Sequence, residues 1–293
     1  MRAALLYNPG SGAALSEAAL VSAIEETGWT IECRVSEAQL DADLRRRVDV
    51  VIAAGGDGTV AKVARRLAGT GLPMAIVPAG TVNNIARALG IGVDPRPAAA
   101  RLAHATERRI DLGVVRAHET GPDEDDRARD YFIEGFSVGI LAHVLGEKVS
   151  REHKRHGRAS SLIAAKLEGY APRRYRIEAD GRDLSGDYVL VAVLNIRSIG
   201  PGLRLAPDAV CDDGELDLVR VGPEAKRALI AALRAATRDG DVELPPFDVR
   251  RTKHVRIRSE GHWAHLDDEP WKLDGEIAIG IEPAAVRVVL QTA

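Results

Sequence analysis

The chain has 293 residues, of which 45% are hydrophobic and 28% charged, so it can bury a sizeable core and wholesale disorder is excluded. Its 40 Lys and Arg residues nearly balance 43 Asp and Glu, a formal net charge of -3 that argues against a dedicated nucleic-acid binder. Cys33 and Cys211 are too few for a disulfide framework or a four-cysteine zinc site. With no signal-peptide pattern and no membrane-spanning stretch, we expect a soluble protein of a reducing compartment.

The first hundred residues alternate between short apolar runs and stretches with helical periodicity. An apolar run that stops at a Pro or Gly turn is typical of a buried strand, and a periodic stretch that stops at a glycine is typical of a helix. Strands and helices at this spacing predict a parallel sheet with right-handed crossovers and flanking helices. The predicted elements are a strand at 3–7, a helix at 15–27, a strand at 30–35, a helical crossover at 40–47, a strand at 48–54, a helix at 60–67 and a strand at 74–77.

From about residue 110 onward strands predominate, separated by Gly and Asp turns. We therefore predict two domains, an α/β domain over residues 1–110 and a β-rich domain over residues 111–293. The acidic segment at 119–126 is predicted to be a solvated hairpin loop rather than a metal site, because nothing fixes its backbone. The predicted strands are 110–117, 131–138, 176–179, 188–195, 216–221, 254–258 and 277–281, and the predicted helices are 159–170 and 224–237.

Residues suited to chemistry are concentrated where three strands of the first domain end. The first strand is followed by Asn8-Pro9-Gly10-Ser11-Gly12. There the glycines let the backbone approach an anion, Ser11 offers a hydroxyl, and the following helix supplies free N–H groups. Many tight strand-to-helix turns contain two glycines, so this turn alone is a weak sign of phosphate binding.

The second turn, Gly55-Gly56-Asp57-Gly58-Thr59, is more specific. Its three glycines leave little side chain except the Asp57 carboxylate and the Thr59 hydroxyl. Such a loop is able to wrap triphosphate oxygens while Asp57 holds Mg²⁺ through water. Alternatively, Asp57 caps the helix that is predicted to begin near Val60, although capping leaves the three glycines unexplained.

The third turn is Pro78-Ala79-Gly80-Thr81-Val82-Asn83-Asn84. Gly80 and Thr81 are candidates for phosphate contact, and for Asn83 we favour a cap on the helix that runs to Gly90. Three such turns at the carboxyl ends of parallel strands indicate one ligand crevice. None matches G-x-G-x-x-G or the Walker pattern, so a nucleotide site of another type is predicted.

These three motifs, at these spacings, resemble the diacylglycerol kinase catalytic-domain family, which includes bacterial lipid kinases and the sphingosine kinases and is distantly related to NAD kinases and 6-phosphofructokinases. The resemblance covers nearly the whole chain. It implies a nucleotide-binding α/β domain, then a β-sandwich-like domain with the catalytic carboxylate and the lipid pocket, and a last strand that packs back on the first domain. It also implies transfer of the γ-phosphoryl of ATP, with Mg²⁺, to a lipid hydroxyl, most simply that of a diacylglycerol-like acceptor. The ATP-binding residues assigned on this basis are Asn8, Pro9, Gly10, Ser11, Gly12, Ser36, Gly55, Gly56, Asp57, Gly58, Thr59, Gly80 and Thr81.

Residues 202–216 resemble the segment that holds a structural magnesium in bacterial members of this family. By that match Asp213 supplies a carboxylate, and Val210 and Glu215 contribute main-chain oxygens. The alternative is a plain Asp-Gly turn that leads into the strand at 216.

The family's general base is the Glu of an Asp-Gly-Glu motif in the second domain, and two segments compete for it. Asp274-Gly275-Glu276 is the literal match, but Glu276 runs straight into the last strand. In Asp267-Asp268-Glu269 a short loop follows before that strand, as in the family, and 262–266 supplies the preceding strand. We therefore assign Glu269 as the base with Asp267 beside it as a catalytic residue, and Glu276 stays the rival.

Two positions depart from the family's pattern. The Asn-Glu pair that usually follows the second motif is Ala61 and Lys62 here, and the Asp that usually follows the third motif is Asn84. These changes remove acids near the proposed phosphates and keep open a nucleotide-binding regulatory protein without turnover. The Gly-Gly-Asp-Gly-Thr loop alone also permits a kinase of a soluble acceptor such as NAD.

The expected partner is a lipid substrate at the membrane surface, which implies a cytoplasmic protein peripheral to the inner face of the membrane. We expect no nucleic-acid partner and no transmembrane segment, and a homodimer is an open alternative. A basic stretch could contact anionic headgroups, but a solvated helix or loop is favoured because no strongly apolar face accompanies it. Its residues are Lys148, Arg151, Lys154, Arg155 and Arg158.

Overall fold

The computed structural model describes residues 1–11, 15–40, 43–117, 130–146, 156–235, 244–267 and 269–291. The chain divides into two compact units: Met1–Asp111 together with Pro283–Ala293 form unit 1, and Leu112–Glu282 form unit 2. The C-terminal segment thus belongs to the first unit rather than to the β-rich one. The acidic segment at 119–126 and the basic residues at 148–155 lie outside the described residues.

The elements of unit 1 begin at the N-terminus. Its strands are β1 (Arg2–Tyr7), β2 (Thr30–Arg34), β3 (Val50–Gly55), β4 (Met74–Pro78) and the start of β5 (Ala105–Ala117). Its helices are α1 (Glu17–Glu25), α2 (Asp57–Leu67), α3 (Asn84–Ala88) and α4 (Pro95–Ala100), with 3-10 turns at Pro9–Ser11, Glu37–Gln39, Leu44–Arg46 and Arg101–His104.

The elements of unit 2 are mostly strands. They are β6 (Asp130–Phe132), β7 (Gly135–Gly139), β8 (Arg173–Ala179), β9 (Arg182–Asp183), β10 (Gly186–Tyr188), β11 (Leu190–Leu194), β12 (Leu216–Val221), β13 (Asp248–Thr252), β14 (His254–Leu266) and most of β15 (Glu269–Gln291). The helices are α5 (Ile140–Gly146), α6 (His156–Gly169) and α7 (Lys226–Ala235), with a 3-10 turn at Pro223–Ala225.

The sheet of unit 1 is parallel, in the order β2-β1-β3-β4, and the end of β15 pairs with β4. Every residue of β3 and β4 is buried. Val50, Ile52 and Ala54 pack in one core with residues of α1 and α4. Alternation along the strand turns Val51 and Ala53 to the opposite face, where α2 contacts β3 and β4. The predicted parallel sheet with flanking helices is therefore confirmed, and burial on both faces explains its continuous apolar strands.

Helix boundaries in unit 1 differ from the predictions in two places. Helix α2 begins at Asp57, so the second glycine turn is shorter than predicted. Residues 40–47 were expected to form a helical crossover, but their described part contains a 3-10 turn at Leu44–Arg46. The apolar residues of this stretch, Leu40, Leu44 and Val48, are nevertheless buried, so its core contacts are made without a longer helix.

The sheet of unit 2 is antiparallel, in the order β13-β12-β11-β7-β14-β15, and β8 pairs with β14. Strand β11 separates two cores. Leu190, Ala192 and Leu194 pack among residues of α5, α6 and α7. Val191 and Val193 pack among residues of β8, β14 and β15. The predicted β-rich, sandwich-like architecture is thus confirmed.

Strands β14 and β15 are longer than the runs predicted at 254–258 and 277–281. The β14 ladder continues through a register shift between Ser259 and His262, where Gly261 has a φ of 63°. A bulge with a left-handed glycine lets a strand continue through residues that look like a turn in the sequence. None of the described helices combines the length and apolarity needed to cross a membrane.

Candidate functional site

The first glycine turn of unit 1 is held by Asn8. Its N–H donates to the Ala54 carbonyl at 3.0 Å, and its side-chain amide donates to Thr59 Oγ1 at 3.1 Å. Its side-chain oxygen accepts the Gly10 N–H at 3.1 Å. Asn8 therefore joins the turn after β1 to the turn between β3 and α2. Gly12 and the Ser11 side chain lie outside the described residues.

Close packing within and between the second and third turns requires glycine at Gly55, Gly56 and Gly80. A Cβ on Gly55 would lie 2.5 Å from the Thr59 Cβ, and a Cβ on Gly56 would lie 3.1 Å from the Gly80 Cα. A Cβ on Gly80 would meet the Gly56 Cα and lie 2.8 Å from Asn83 Oδ1. The strand ends are also tied together, since the Ala79 N–H donates to the Gly55 carbonyl at 2.8 Å. From the sequence we expect these glycines to let the backbone approach phosphate. In the structure they let the backbones of the second and third turns approach each other.

Asp57 binds the helix that follows the third turn. It is the first residue of α2, and its Oδ1 accepts the Ile85 N–H of α3 at 2.9 Å. The alternative of a cap on the helix near Val60 stays a prediction, and that helix, α2, starts at Asp57 itself. The bond to Ile85 places the carboxylate between the second and third turns, at the carboxyl edge of the sheet.

Asn83 shapes the third turn with its side chain. Its side-chain oxygen accepts the Gly80 N–H at 2.9 Å, and its amide donates to the Gly80 carbonyl at 2.9 Å. It adopts a left-handed conformation with a φ of 55°, which Asn tolerates better than most residues. Asn83 is the N-cap residue of α3, as expected, and its carbonyl accepts the Arg87 N–H at 3.0 Å, although its side chain makes no capping bond to this helix. Thr81 is exposed beside it, and Asn84 is buried at the start of α3.

Ser36 follows β2 and is exposed. Its N–H and its hydroxyl both donate to Gln39 Oε1, at 2.8 Å and 3.0 Å. Glu37 forms ion pairs with Lys62 at 3.7 Å and with Arg66 at 3.6 Å, both on α2. Lys62, which departs from the family's pattern, therefore helps to hold the Ser36 segment against α2.

In unit 2, Asp267 is 2% exposed and has a φ of 50°. Its Oδ1 accepts the N–H groups of Glu134 and Gly135, at 2.8 Å and 3.2 Å, and Oδ2 accepts that of Ile133 at 3.4 Å. Its own N–H donates to the Gly135 carbonyl at 2.9 Å. Asp267 thus fastens the end of β14 to the segment between β6 and β7. Asn195 fastens the same segment from β11, through its N–H to the Glu134 carbonyl and its amide to the Ile133 carbonyl, both at 3.1 Å.

Glu269 is the first residue of β15 and pairs with Leu266 across the ladder, so the turn that carries it is anchored by Asp267. Residue 268 lies outside the described residues. The rival Glu276 lies in the middle of β15 opposite Arg258 and lines a surface cavity of about 290 Å³. Both glutamates are half-buried, but Glu269 follows a fixed turn and Glu276 sits in a regular ladder.

The predicted metal turn carries an arginine. Arg251 of β13 forms ion pairs with Asp213 and, at 2.7 Å, with Glu215, and the Glu215 N–H donates to Asp213 Oδ1 at 3.0 Å. Val210 is exposed. Within the ranges that the structure describes, no group of three or more His, Cys, Asp or Glu side chains is arranged to hold a metal. The Asp213 carboxylate is thus engaged by a guanidinium, and the ligand set of one carboxylate and two main-chain oxygens stays a prediction.

Asp217, next along β12, is 8% exposed and lies opposite Arg251 in the β12–β13 ladder. Burial raises its pKa to about 6. Arg251 opposes this rise, and the charges of Asp213, Asp208 and Glu215 add to it.

Four further polar residues matter in the structure and were missed in the sequence: Asp111, Glu134, Asn195 and Arg251. Asp111 is buried in unit 1, and its Oδ1 accepts the Ala284 N–H at 2.7 Å. Asp111, Glu134 and Asn195 each interrupt or end an apolar run, which is the one local signal that could have identified them. Arg251 gives no such signal, because its partners are defined by strand pairing.

An open parallel sheet with glycine turns grouped at its carboxyl edge makes unit 1 an α/β domain of the type that binds ligands at that edge. The Diacylglycerol kinase catalytic domain model matches residues 2–115, and the YegS C-terminal NAD kinase beta sandwich-like domain model matches residues 137–292. The chain belongs to the family of diacylglycerol kinases and YegS-like lipid kinases, which are phosphotransferases.

Two relatives span most of the chain. A protein named "Probable lipid kinase YegS-like" from Stenotrophomonas maltophilia is 33% identical over 280 residues, which cover 90% of this chain and 87% of that protein. A protein named "Diacylglycerol kinase" from Bacillus subtilis is 30% identical over 283 residues, which cover 92% of this chain and 89% of that protein.

Two solved structures share the fold. The crystal structure of a diacylglycerol kinase from Bacillus anthracis has a TM-score of 0.70 at 20% identity, over 99% of this chain and 96% of that chain. An NAD kinase from Archaeoglobus fulgidus in complex with ATP has a TM-score of 0.54 at 14% identity, over 99% of this chain and 94% of that chain. At these identities the likeness concerns the fold alone.

Proposed function

We propose that this protein is an ATP- and Mg²⁺-dependent lipid kinase that phosphorylates the hydroxyl of a diacylglycerol-like acceptor at the inner membrane surface. The observation that carries the proposal is the meeting of three glycine turns at one edge of the parallel sheet. Asn8 joins the first turn to the second through Thr59, and Asp57 joins the second to the third through Ile85. Membership of a lipid kinase family supports the choice of acceptor class.

In this proposal the nucleotide lies against the three turns. The phosphates lie against the backbone of the three glycine turns, because glycine lets a phosphate come close to the main chain. The N–H groups of Gly10 and Gly80 donate to Asn8 and Asn83 and hold the first and third turns in shape. Hydroxyls and further turn residues complete the contacts. The proposed ATP-binding set is Asn8, Pro9, Gly10, Ser11, Gly12, Ser36, Gly55, Gly56, Asp57, Gly58, Thr59, Gly80 and Thr81.

Asp57 is the residue proposed to hold Mg²⁺ together with the phosphates. A single carboxylate beside a phosphate site suits this ion, which keeps several waters and takes few protein ligands. The ion, when bound, neutralises charge that develops on the transferring phosphoryl group. The Ile85 N–H fixes the orientation of the Asp57 carboxylate, so the position of this negative charge is set by the protein.

Glu269 is proposed as the general base. It accepts the proton of the acceptor hydroxyl while that oxygen bonds to the γ-phosphorus and the bond from phosphorus to the ADP oxygen breaks. Asp267 supports Glu269 as a positioning residue, since its carboxylate is held by three backbone N–H groups. In this proposal Asp267 positions the base and is not itself the catalytic residue that the sequence predicts.

The test is phosphoryl transfer from labelled ATP with Mg²⁺ to diacylglycerol, monoacylglycerol, a sphingoid base, a bacterial phospholipid and NAD. Glu269→Gln is expected to reduce kcat by about 10²–10⁴-fold while ATP affinity stays unchanged. Glu276→Gln is the matched control, because Glu276 is a half-buried glutamate of the same strand, and it should keep wild-type activity. Asp57→Asn should weaken Mg²⁺-dependent ATP binding.

Each other outcome has a definite meaning. Label in NAD alone would make the protein a kinase of a soluble acceptor. Loss of activity in Glu276→Gln with Glu269→Gln unaffected would move the base to Glu276. Tight ATP binding without label in any acceptor would favour a regulatory protein without turnover.

A further inference from the structure

The turn that precedes β12 concentrates negative charge. Residues 208–217 contain Asp208, Asp212, Asp213, Glu215 and Asp217 and include no Lys, Arg or His. Like charges so close together repel, and a buried carboxylate such as Asp217 is especially costly without a cation nearby. In the bacterial members of the family that the sequence resembles, this segment holds a structural magnesium ion. In this chain the same segment also needs a cation to neutralise its charge.

Strand pairing brings one arginine to this turn. In the antiparallel β12–β13 ladder, Arg251 lies directly opposite Asp217. Its guanidinium also pairs with the carboxylates of Asp213 and Glu215, the latter at 2.7 Å. Asp213 divides its two oxygens between the Glu215 N–H, at 3.0 Å, and the guanidinium. A planar guanidinium with several N–H donors is well suited to bridge two carboxylates in this way.

We propose that Arg251 takes the place of the structural metal ion in this chain. The guanidinium neutralises the turn from within, and unit 2 folds without a divalent ion at Asp213 and Glu215. A metal ion on the ligands that the resemblance implies, the Asp213 carboxylate and the main-chain oxygens of Val210 and Glu215, would have to displace the guanidinium from Asp213 or lie next to its positive charge. This inference concerns the stability of unit 2 and is independent of the proposed kinase activity.

The first test needs no variant. The full-length protein is unfolded thermally in excess EDTA, in Mg²⁺ and in Ca²⁺, all without nucleotide. The proposal predicts the same midpoint, within about 1 °C, in all three conditions, because no metal contributes to the folded state. A lower midpoint in EDTA that Mg²⁺ or Ca²⁺ restores would overturn the proposal.

The second test removes the internal cation. Arg251→Met keeps most of the side-chain length without the charge, and its midpoint in EDTA should fall by roughly 2–4 °C or more. Mg²⁺ or Ca²⁺ should recover part of this loss, because the freed carboxylates are then open to a hard cation. A midpoint that does not change on substitution, or a loss that no metal recovers, would contradict the proposal.

A matched control separates this effect from the loss of any exposed ion pair. Arg256 pairs with Glu178 at 3.6 Å on neighbouring strands of the same unit, and its side chain is 57% exposed against 56% for Arg251. Arg256→Met should lower the midpoint slightly, and no metal should recover it. Calorimetric titration with Ca²⁺ should detect a new site in Arg251→Met that is lost again in the double variant with Asp213→Asn. If Arg251→Met fails to fold, Arg251→Lys in the same titration should retain the charge and show no new site.

Discussion

The anchoring of the Glu269 turn by Asp267 leads to a prediction in which stability and catalysis separate. The carboxylate receives two N–H groups on Oδ1, at 2.8 Å and 3.2 Å, and a longer one on Oδ2 at 3.4 Å. Asp267→Asn retains an oxygen for the two shorter bonds and tolerates the φ of 50°. Asp267→Ala removes both acceptor oxygens, and with them all three bonds, and adopts that φ less readily.

The magnitudes follow from these contacts. Each hydrogen bond to a charged acceptor contributes about 1.5–3 kcal/mol, so Asp267→Ala should lower the free energy of unfolding by about 3–6 kcal/mol for the two short bonds. The left-handed backbone adds about 1 kcal/mol for Ala. Asp267→Asn loses the long bond and faces the Ile133 N–H with an amide, which should cost about 1–2 kcal/mol.

Urea unfolding followed by circular dichroism measures these losses, and labelled-ATP transfer measures kcat and KM. Because the proposal gives Asp267 only a positioning role toward Glu269, we expect Asp267→Asn to lower kcat by about 5–30-fold, the equivalent of about 1–2 kcal/mol, with the pH profile of kcat unchanged. Glu269→Gln in parallel should lose far more activity with little change in stability. If Asp267→Asn lost a thousandfold or more in kcat while remaining as stable as the wild type, Asp267 would take part in the chemistry itself.

Two further predictions concern charge. The pKa of Asp217 is raised to about 6 from its ordinary value of 3.8. Between about pH 4 and 6, Asp217 therefore keeps its proton in the folded protein, whereas it has lost that proton in the unfolded chain. The free energy of unfolding should therefore fall by at most about 3 kcal/mol as pH rises through this window. In urea unfolding at pH 4.5 and 7, Asp217→Asn should reduce this pH dependence. An unchanged pH dependence in the variant would show that Asp217 is not responsible. Lys62→Glu should replace the ion pair with Glu37 by repulsion between two carboxylates and so loosen the Ser36 segment. The KM for ATP should rise about 5-fold, and the free energy of unfolding should fall by about 1 kcal/mol. Arg66→Met removes the other cation without adding an acid, so it should raise the KM for ATP less. An equal KM for ATP in the wild type and both variants would argue against a role for this segment.

Local sequence patterns predict much of the fold. Continuous apolar runs that end in glycine turns indicate strands buried on both faces, and such strands belong to a parallel sheet covered by helices. The alternating pattern of β8, with buried Tyr175, Ile177 and Ala179, indicates a strand with one buried face. These features were predictable because each depends on the spacing of residues within one element.

The candidate site was predictable in its residue types but not in its contacts. The sequence identifies Asp57, Gly80 and Glu269 as candidates because glycine turns and acidic motifs are recognisable locally. It did not reveal that Gly80 is required by contact with Gly56, or that Asp57 receives an N–H from a helix 28 residues further on. Both facts depend on how two strand ends meet.

By itself, then, the sequence determined the class of each unit, the glycine turns and the acidic residues that carry the proposed chemistry. Only the tertiary structure decided which partners those residues take: Ile85 for Asp57, the N–H groups before β7 for Asp267, and Arg251 for Asp213. The reason is physical. Spacing along the chain sets which residues share a face of an element, whereas pairing between distant segments is set by strand register and packing, and a shift of one residue would give every one of these groups a different partner.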